Sequence, residues 1–176
     1  MAAAITVRDA RCEDASGIAR VHVDSWRTTY RGIVPADFLA GLSAEARERE
    51  WQPVVCAEPR RAFVYVAEDA GHVVGFASAG RARDERQFQS ELYAIYLLES
   101  HQRRGVGRAL VQRIANDLRG AGMTSMMLWV LAANPACRFY EALGGKRFGS
   151  QPVTIGGVTL EEIAYGWDDV RQLLPA

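Results

Sequence analysis

The stretch from Glu91 to Leu110 restricts this chain more than any other part of it. Apolar and aromatic residues run without a break from Leu92 to Leu98, as in a strand buried on both faces. Glu99-Ser100-His101 follows, and then Gln102-Arg103-Arg104-Gly105-Val106-Gly107-Arg108, a basic glycine turn that opens an amphipathic helix. The first N–H groups of a helix have no partner within it, so they form an anion site, and glycine lets an anion approach the backbone closely. Arg103, Arg104 and Arg108 add positive charge. Strand, turn and helix together describe a site for phosphate or pyrophosphate held mainly by backbone.

Two familiar phosphate motifs are excluded by the same residues. A Walker turn needs Lys and then Ser or Thr after its second glycine, and here Arg108-Ala109 follows Gly107. A dinucleotide fingerprint needs a third glycine and an acidic residue after the next strand, and both are missing.

The 176 residues suit one domain, spanning the whole chain, with a sizeable core, and an apolar share of 49% argues against disorder. With 21 basic and 21 acidic residues there is no global field to hold nucleic acid, so the arginines at the turn point to a small anionic ligand. Cys12, Cys56 and Cys137 lack metal-ligand spacing and are odd in number, which reads as reduced thiols in a cytoplasmic protein. His22, His72 and His101 are scattered, so no metal is expected. Met1-Ala2-Ala3-Ala4 leads straight into a strand-like segment and does not read as a signal peptide, and no apolar run has membrane-spanning length.

Periodicity and turn chemistry predict strands over 5–9, 62–68, 73–79, 92–98, 124–131, 146–151 and 158–165. Helices are predicted over 13–26, 35–42, 43–51, 107–119 and 134–143, with a short helix or tail over 167–174 and a charged turn over 81–86. Ser43 is placed as a helix N-cap. Asp69-Ala70-Gly71-His72 closes a hairpin. Hairpins mixed with crossovers rule out a purely parallel wound fold. The expectation is an α/β (α+β) chain with a mixed, mostly antiparallel central sheet of about seven strands flanked by helices.

A second motif is Asn134-Pro135-Ala136-Cys137-Arg138-Phe139-Tyr140-Glu141-Ala142-Leu143-Gly144-Gly145. Together with the strand and its Gln-x-x-Gly-x-Gly-Arg turn, it resembles the GCN5-related N-acetyltransferase (GNAT) superfamily, and the element order agrees over nearly the whole chain. The resemblance implies acetyl-CoA as co-substrate, a primary amine as acceptor, and direct attack in a ternary complex. The acceptor would be a small molecule, with a protein N-terminus or lysine as the alternative. A homodimer is common in the family, and nucleic acid or membrane partners are not implied. A non-catalytic acyl-CoA-binding module would keep the glycine turn without needing an acid.

The resemblance also assigns roles. Gln102, Arg103, Arg104, Gly105, Val106, Gly107 and Arg108 would bind pyrophosphate. Ile95, Tyr96 and Leu97 would border a gap beside a splayed strand, where pantetheine amides pair. Asn134 would hydrogen-bond the pantetheine arm, and Tyr140 would protonate the departing thiolate. The residues alone also allow Asn134 as a helix N-cap before Pro135 and Tyr140 as a core aromatic. Glu91 falls where the histone-acetylating branch keeps its glutamate base, and strand alternation gives it the parity of Tyr93, Ile95 and Leu97. A solvated strand-end charge is the other reading. Trp129 stands where the ribosomal branch has its glutamate. The Asn134–Tyr140 spacing is the shorter of two in the family, and Gly145 replaces a common Phe. Trp26, Tyr30 and Tyr93 would wall the acceptor cleft, although Trp26 and Tyr30 at i, i+4 also suit an ordinary helical packing pair.

Overall fold

The computed structural model describes residues 5–84 and 87–175. Met1–Ala4, and Glu85 and Arg86 of the expected charged turn, lie outside the described residues. The strands are β1 (Thr6–Asp9), β2 (Phe63–Asp69), β3 (His72–Arg81), β4 (Ser90–Leu97), β5 (Met126–Leu131), β6 (Lys146–Ile155) and β7 (Val158–Trp167). The helices are α1 (Ala15–Thr29), α2 (Ala36–Ala40), α3 (Ala44–Val55), α4 (Val106–Gly120) and α5 (Cys137–Ala142). The seven strands form one sheet in the order β1-β2-β3-β4-β5-β7-β6. Every neighbouring pair is antiparallel except β4 and β5, which α4 connects as a crossover.

Alternation along the strands explains the two-sided core. Tyr65 and Ala67 of β2 face α4, whose Leu110, Val111, Ile114, Ala115 and Leu118 repeat at helical spacing and are buried. Val64 and Val66 face the other way, with Phe76, towards Ile18 and Val21 of α1. Ser43 caps α3 as expected, its hydroxyl accepting the Ala46 N–H at 3.1 Å.

Several element ends differ from the expectation. The helix expected to stop at residue 51 continues through Pro53 to Val55. Trp51, Val54 and Val55 pack against the α1-side core there, and that burial offsets the hydrogen bond the proline cannot make. β6 and β7 both run past their expected ends, because each is the other's ladder partner from Lys146↔Gly166 to Ile155↔Val158. The C-terminal segment is a single 3-10 turn, Val170–Leu173.

The expectation of three reduced thiols is corrected. Cys12 and Cys56 are joined in a disulfide with their Cα atoms 4.8 Å apart, and Cys137 is free. The bond ties the turn before α1 to the end of α3. The packing of those two helices brings the cysteines together across 44 residues, which spacing in sequence does not reveal. Among the described residues no group of three His, Cys, Asp or Glu could hold a metal ion, and no helix is long and apolar enough to cross a membrane.

His22 lies on α1 in an aromatic cluster, stacked on Tyr96 at 5.0 Å between centroids, and its Nδ1 accepts the Trp51 Nε1–H at 3.1 Å. Burial, helped by nearby Arg47, pushes its pKa down to about 4. In the unfolded chain the imidazole takes a proton near 6.5, so between these values the unfolded state binds more protons and stability falls as pH drops. This group's contribution is complete above pH 6.5, and about 3 kcal/mol of it is expected to be gone by pH 4. Urea unfolding at both pH values, compared with His22→Gln, measures it; equal pH slopes for parent and variant would refute it.

Candidate active site

The site begins where two strands part. β4 and β5 are paired only at Ser90↔Met126 and Glu91↔Met127, and beyond these residues they diverge. The opening continues into a cleft of about 630 Å³. Leu92 to Leu97 line one wall and Leu128 to Val130 the other, the end of α1 closes the top, and the 134–140 segment closes the far side. Leu98 donates its N–H to Val74 of β3 at 2.9 Å, so by alternation the N–H of Leu97, and that of Ile95, turn from β3 towards the open edge. Gln102 Nε2 donates to the Leu97 carbonyl on that side at 3.2 Å. Tyr96, between them, keeps its backbone on β3 opposite Phe76 and sends its ring into the α1-side aromatic cluster.

β4 also carries a bulge. Ala94 pairs with Ser78 and Leu92 with Ala79, leaving Tyr93 as the extra residue. The bulge overturns the expected common face of Glu91, Tyr93, Ile95 and Leu97. Beyond it Ile95 and Leu97 pack on the α4 side, together with Leu92, whereas Glu91, one residue before Leu92, faces the opposite side. Nor is Glu91 a solvated strand-end charge. It is 2% exposed, does not line the cleft, and accepts hydrogen bonds from the Arg83 backbone N–H at 3.2 Å, from Arg83 Nε at 3.1 Å and from Arg83 Nη2.

At the C-terminal end of β4 the glycine turn meets the cleft. Gly105 is the N-cap of α4 in the left-handed region at φ +82°, where a Cβ would be strained, and no side chain caps the helix. The first N–H groups of α4 are therefore open to a ligand. Gln102, Arg103, Gly105, Gly107 and Arg108 line the cleft. Arg104 stays exposed outside it, and the Val106 side chain turns into the core. A fifteen-residue helix with an uncapped start, two adjacent arginines and an open strand edge leading to it suits a diphosphate joined to an extended amide-bearing arm.

Asn134 closes a turn before α5. Its Oδ1 accepts the Ala136 N–H at 2.8 Å and its Nδ2 donates to Tyr30 Oη at 3.2 Å. The expected N-cap is corrected: α5 starts only at Cys137 with Ala136 at its N-cap and no side chain capping it, and Asn134 instead closes the turn through Pro135 that leads into the helix. Tyr140 is nearly buried and borders the cleft, and its hydroxyl has no hydrogen-bond partner among the described residues. Burial, together with Tyr96 and Cys137, pushes its pKa well above the ordinary phenol value, so it stays a proton donor.

The structure divides the aromatics expected to wall an acceptor cleft. Tyr30 and Tyr93 line the cleft, whereas Trp26 stands behind Tyr30, edge-on at 4.7 Å, and supports it. Ser25, Thr28 and Thr29 take the place given to Trp26, and Phe139 and Trp129 join the walls. Helical spacing from Tyr30 back through its own turn would have found the two threonines.

Residues 21–145 match the acetyltransferase (GNAT) family. The uncharacterized N-acetyltransferase YuaI of Bacillus subtilis is 44% identical over 171 residues, covering 96% of each chain. The L-methionine sulfoximine/L-methionine sulfone acetyltransferase of Pseudomonas paraeruginosa is 27% identical, over 84% of this chain and 83% of that one. The PaiA N-acetyltransferase of Thermoplasma acidophilum, solved in complex with coenzyme A, shares the fold at a TM-score of 0.71, with 21% identity, 91% of this chain and 98% of that one. The cleft between parted strands, the uncapped glycine turn and the relatedness agree: the chain belongs to the acetyltransferase (GNAT) family and is an acetyl-CoA-dependent N-acetyltransferase.

Proposed function

We propose that the chain transfers the acetyl group of acetyl-CoA to the primary amine of a small molecule, by direct attack in a ternary complex. The observation that carries this reading is one cleft with the open edge of β4 along it, the uncapped start of α4 at one end, and the unpartnered Tyr140 hydroxyl on its wall. The acetyl thioester supplies the electrophile. Arg103, Arg108 and the first N–H groups of α4 hold the pyrophosphate, and Arg104 adds charge from outside. Ile95 and Leu97 offer N–H groups to the extended arm and to the thioester oxygen. Asn134 still has a second Nδ2 proton for the arm, the first being used on Tyr30. Tyr140 gives its proton to the departing sulfur.

Glu91 is left out of the proton path, because its carboxylate is buried against Arg83 and away from the cleft. The attacking amine loses its proton to water. A small acceptor is favoured by the methionine sulfoximine/sulfone acetyltransferase among the relatives, and Ser25, Thr28, Thr29, Tyr30 and Tyr93 line the part of the cleft where it would sit. A cytoplasmic location is part of the proposal, since acetyl-CoA must be supplied. Thiol release from acetyl-CoA by the purified chain, across a panel of amino acids, polyamines, amine-bearing antibiotics and peptides, tests the reading. Transfer to a subset of the small amines is the expected outcome. Inactivity with every amine and peptide would turn the reading towards a binding module, and transfer only to peptides would reject the small acceptor.

A further inference from the structure

Glu91 has no place in the proton path, yet among the described residues it is one of the few buried charged side chains. The two ends of its ion pair differ sharply: the Glu91 side chain is 3% exposed and that of Arg83 is 72% exposed. Arg83 is therefore anchored from below while its outer surface stays free. Its guanidinium carbon lies 6.0 Å from the centroid of the Tyr93 ring. Tyr93 is the extra residue of the β4 bulge, it lines the cleft, and it remains 39% exposed. Its hydroxyl donates to the Arg81 carbonyl. The ring lies across Gly80, where an added Cβ would fall 2.8 Å from the Tyr93 hydroxyl and 3.1 Å from Cε2. Gly80 is itself the ladder partner of Glu91. A bulged residue has no ladder partner of its own to fix it. Here the missing restraint is replaced by three contacts from one side of the sheet: the bare backbone of Gly80, the Arg81 carbonyl and the Arg83 guanidinium.

We propose that Glu91 is a positioning residue for the acceptor pocket. Through Arg83, and with Gly80 as a flat seat, it fixes the Tyr93 ring as the wall against which the acceptor amine is held. This rests on the small-amine reading above, with Tyr93 as an acceptor contact. The buried carboxylate sets where the ring stands and does not touch the reacting atoms.

The experiment is steady-state transfer by the full chain with its best amine, for Glu91→Gln, Arg83→Gln, Arg83→Lys and Gly80→Ala. Each variant is checked by thermal unfolding. Glu91→Gln, Arg83→Gln and Gly80→Ala are expected to raise the KM for the amine about tenfold, as for loss of one pocket contact, with the KM for acetyl-CoA unchanged and kcat little altered. Arg83→Lys is expected to recover part of the loss, and the pH profile of kcat is expected to keep its shape in Glu91→Gln. Gly80→Ala leaves the ion pair in place, so it tests the ring's seat even if Glu91→Gln fails to fold. A large fall in kcat for Glu91→Gln with loss of the rising limb of its pH profile would make Glu91 the base and overturn the proposal. Unchanged amine KM in Gly80→Ala and Arg83→Gln would also overturn it. In both cases the acetyltransfer reading stands, whereas a parent inert on every amine removes both.

Discussion

Tyr140→Phe is expected to lower kcat for acetyl transfer by about 10²-fold or more, the usual size of a lost general acid, while the KM for acetyl-CoA stays near that of the parent. The ring keeps its place at the end of the cleft, so binding surface is retained. The parent hydroxyl has no hydrogen-bond partner among the described residues, so removing it breaks no internal bond and the melting temperature should not fall. The pH dependence follows from the same burial. An acid stops working as pH rises through its pKa, and this phenol's pKa is pushed above the ordinary value of 10. The alkaline loss of activity expected of an ordinary phenol should therefore be displaced upward, and the rising limb should follow ionisation of the acceptor amine. Pre-steady-state thiol release checks the first outcome, and kcat measured to high pH checks the second. Transfer by Tyr140→Phe as fast as by the parent would mean that water protonates the thiolate.

Trp167→Ala is expected to cost about 4 kcal/mol of stability, in the range for a large aromatic removed from a core. Trp167 ends β7, is 1% exposed, and donates Nε1–H to the Leu143 carbonyl at 2.9 Å. Leu143 is the C-cap of α5, the helix that carries Tyr140. The substitution leaves a cavity under that helix and strips its last carbonyl of a partner in a buried setting. For a chain of this size the loss corresponds to a fall in Tm of about 8–16 °C. Trp167→Phe keeps most of the volume and gives up only the N–H, so a fall of about 1–2 kcal/mol is expected for it. Calorimetry of the two variants separates volume from hydrogen bond; equal losses would assign the whole effect to the carbonyl.

What could be read in the sequence was local. The glycine turn and the Asn134–Tyr140 segment each place their chemistry within a few residues, and both lie on the cleft. The sheet and its flanking helices followed from periodicity, since burial on two faces leaves a clear pattern. The parting of β4 from β5 came only through resemblance, because it depends on which hydrogen bonds are not made and side chains do not record that. The Tyr93 bulge is of the same kind. By adding one residue to the ladder it moves Glu91 to the face opposite Ile95 and Leu97, so plain strand alternation does not hold across Tyr93. Trp26 offers aromatic surface in the sequence, but the helix turns that surface towards Tyr30 and Phe38 and gives the cleft its smaller hydroxyl residues. The Cys12–Cys56 bond depended on how α1 and α3 pack, a tertiary fact with no trace in local spacing.

The short join of β4 to β5 has a mechanical meaning. The sheet is in effect two wings, β1-β2-β3-β4 and β5-β7-β6, whose shared ladder is only two residue pairs long. Bound as proposed, along the free edge of one wing and packed on the other, an extended co-substrate becomes a structural strut as well as a reactant. Its binding energy then adds directly to the cohesion of the wings by mass action, so the protein should be stiffest when it is loaded and most compliant just after the spent thiol leaves.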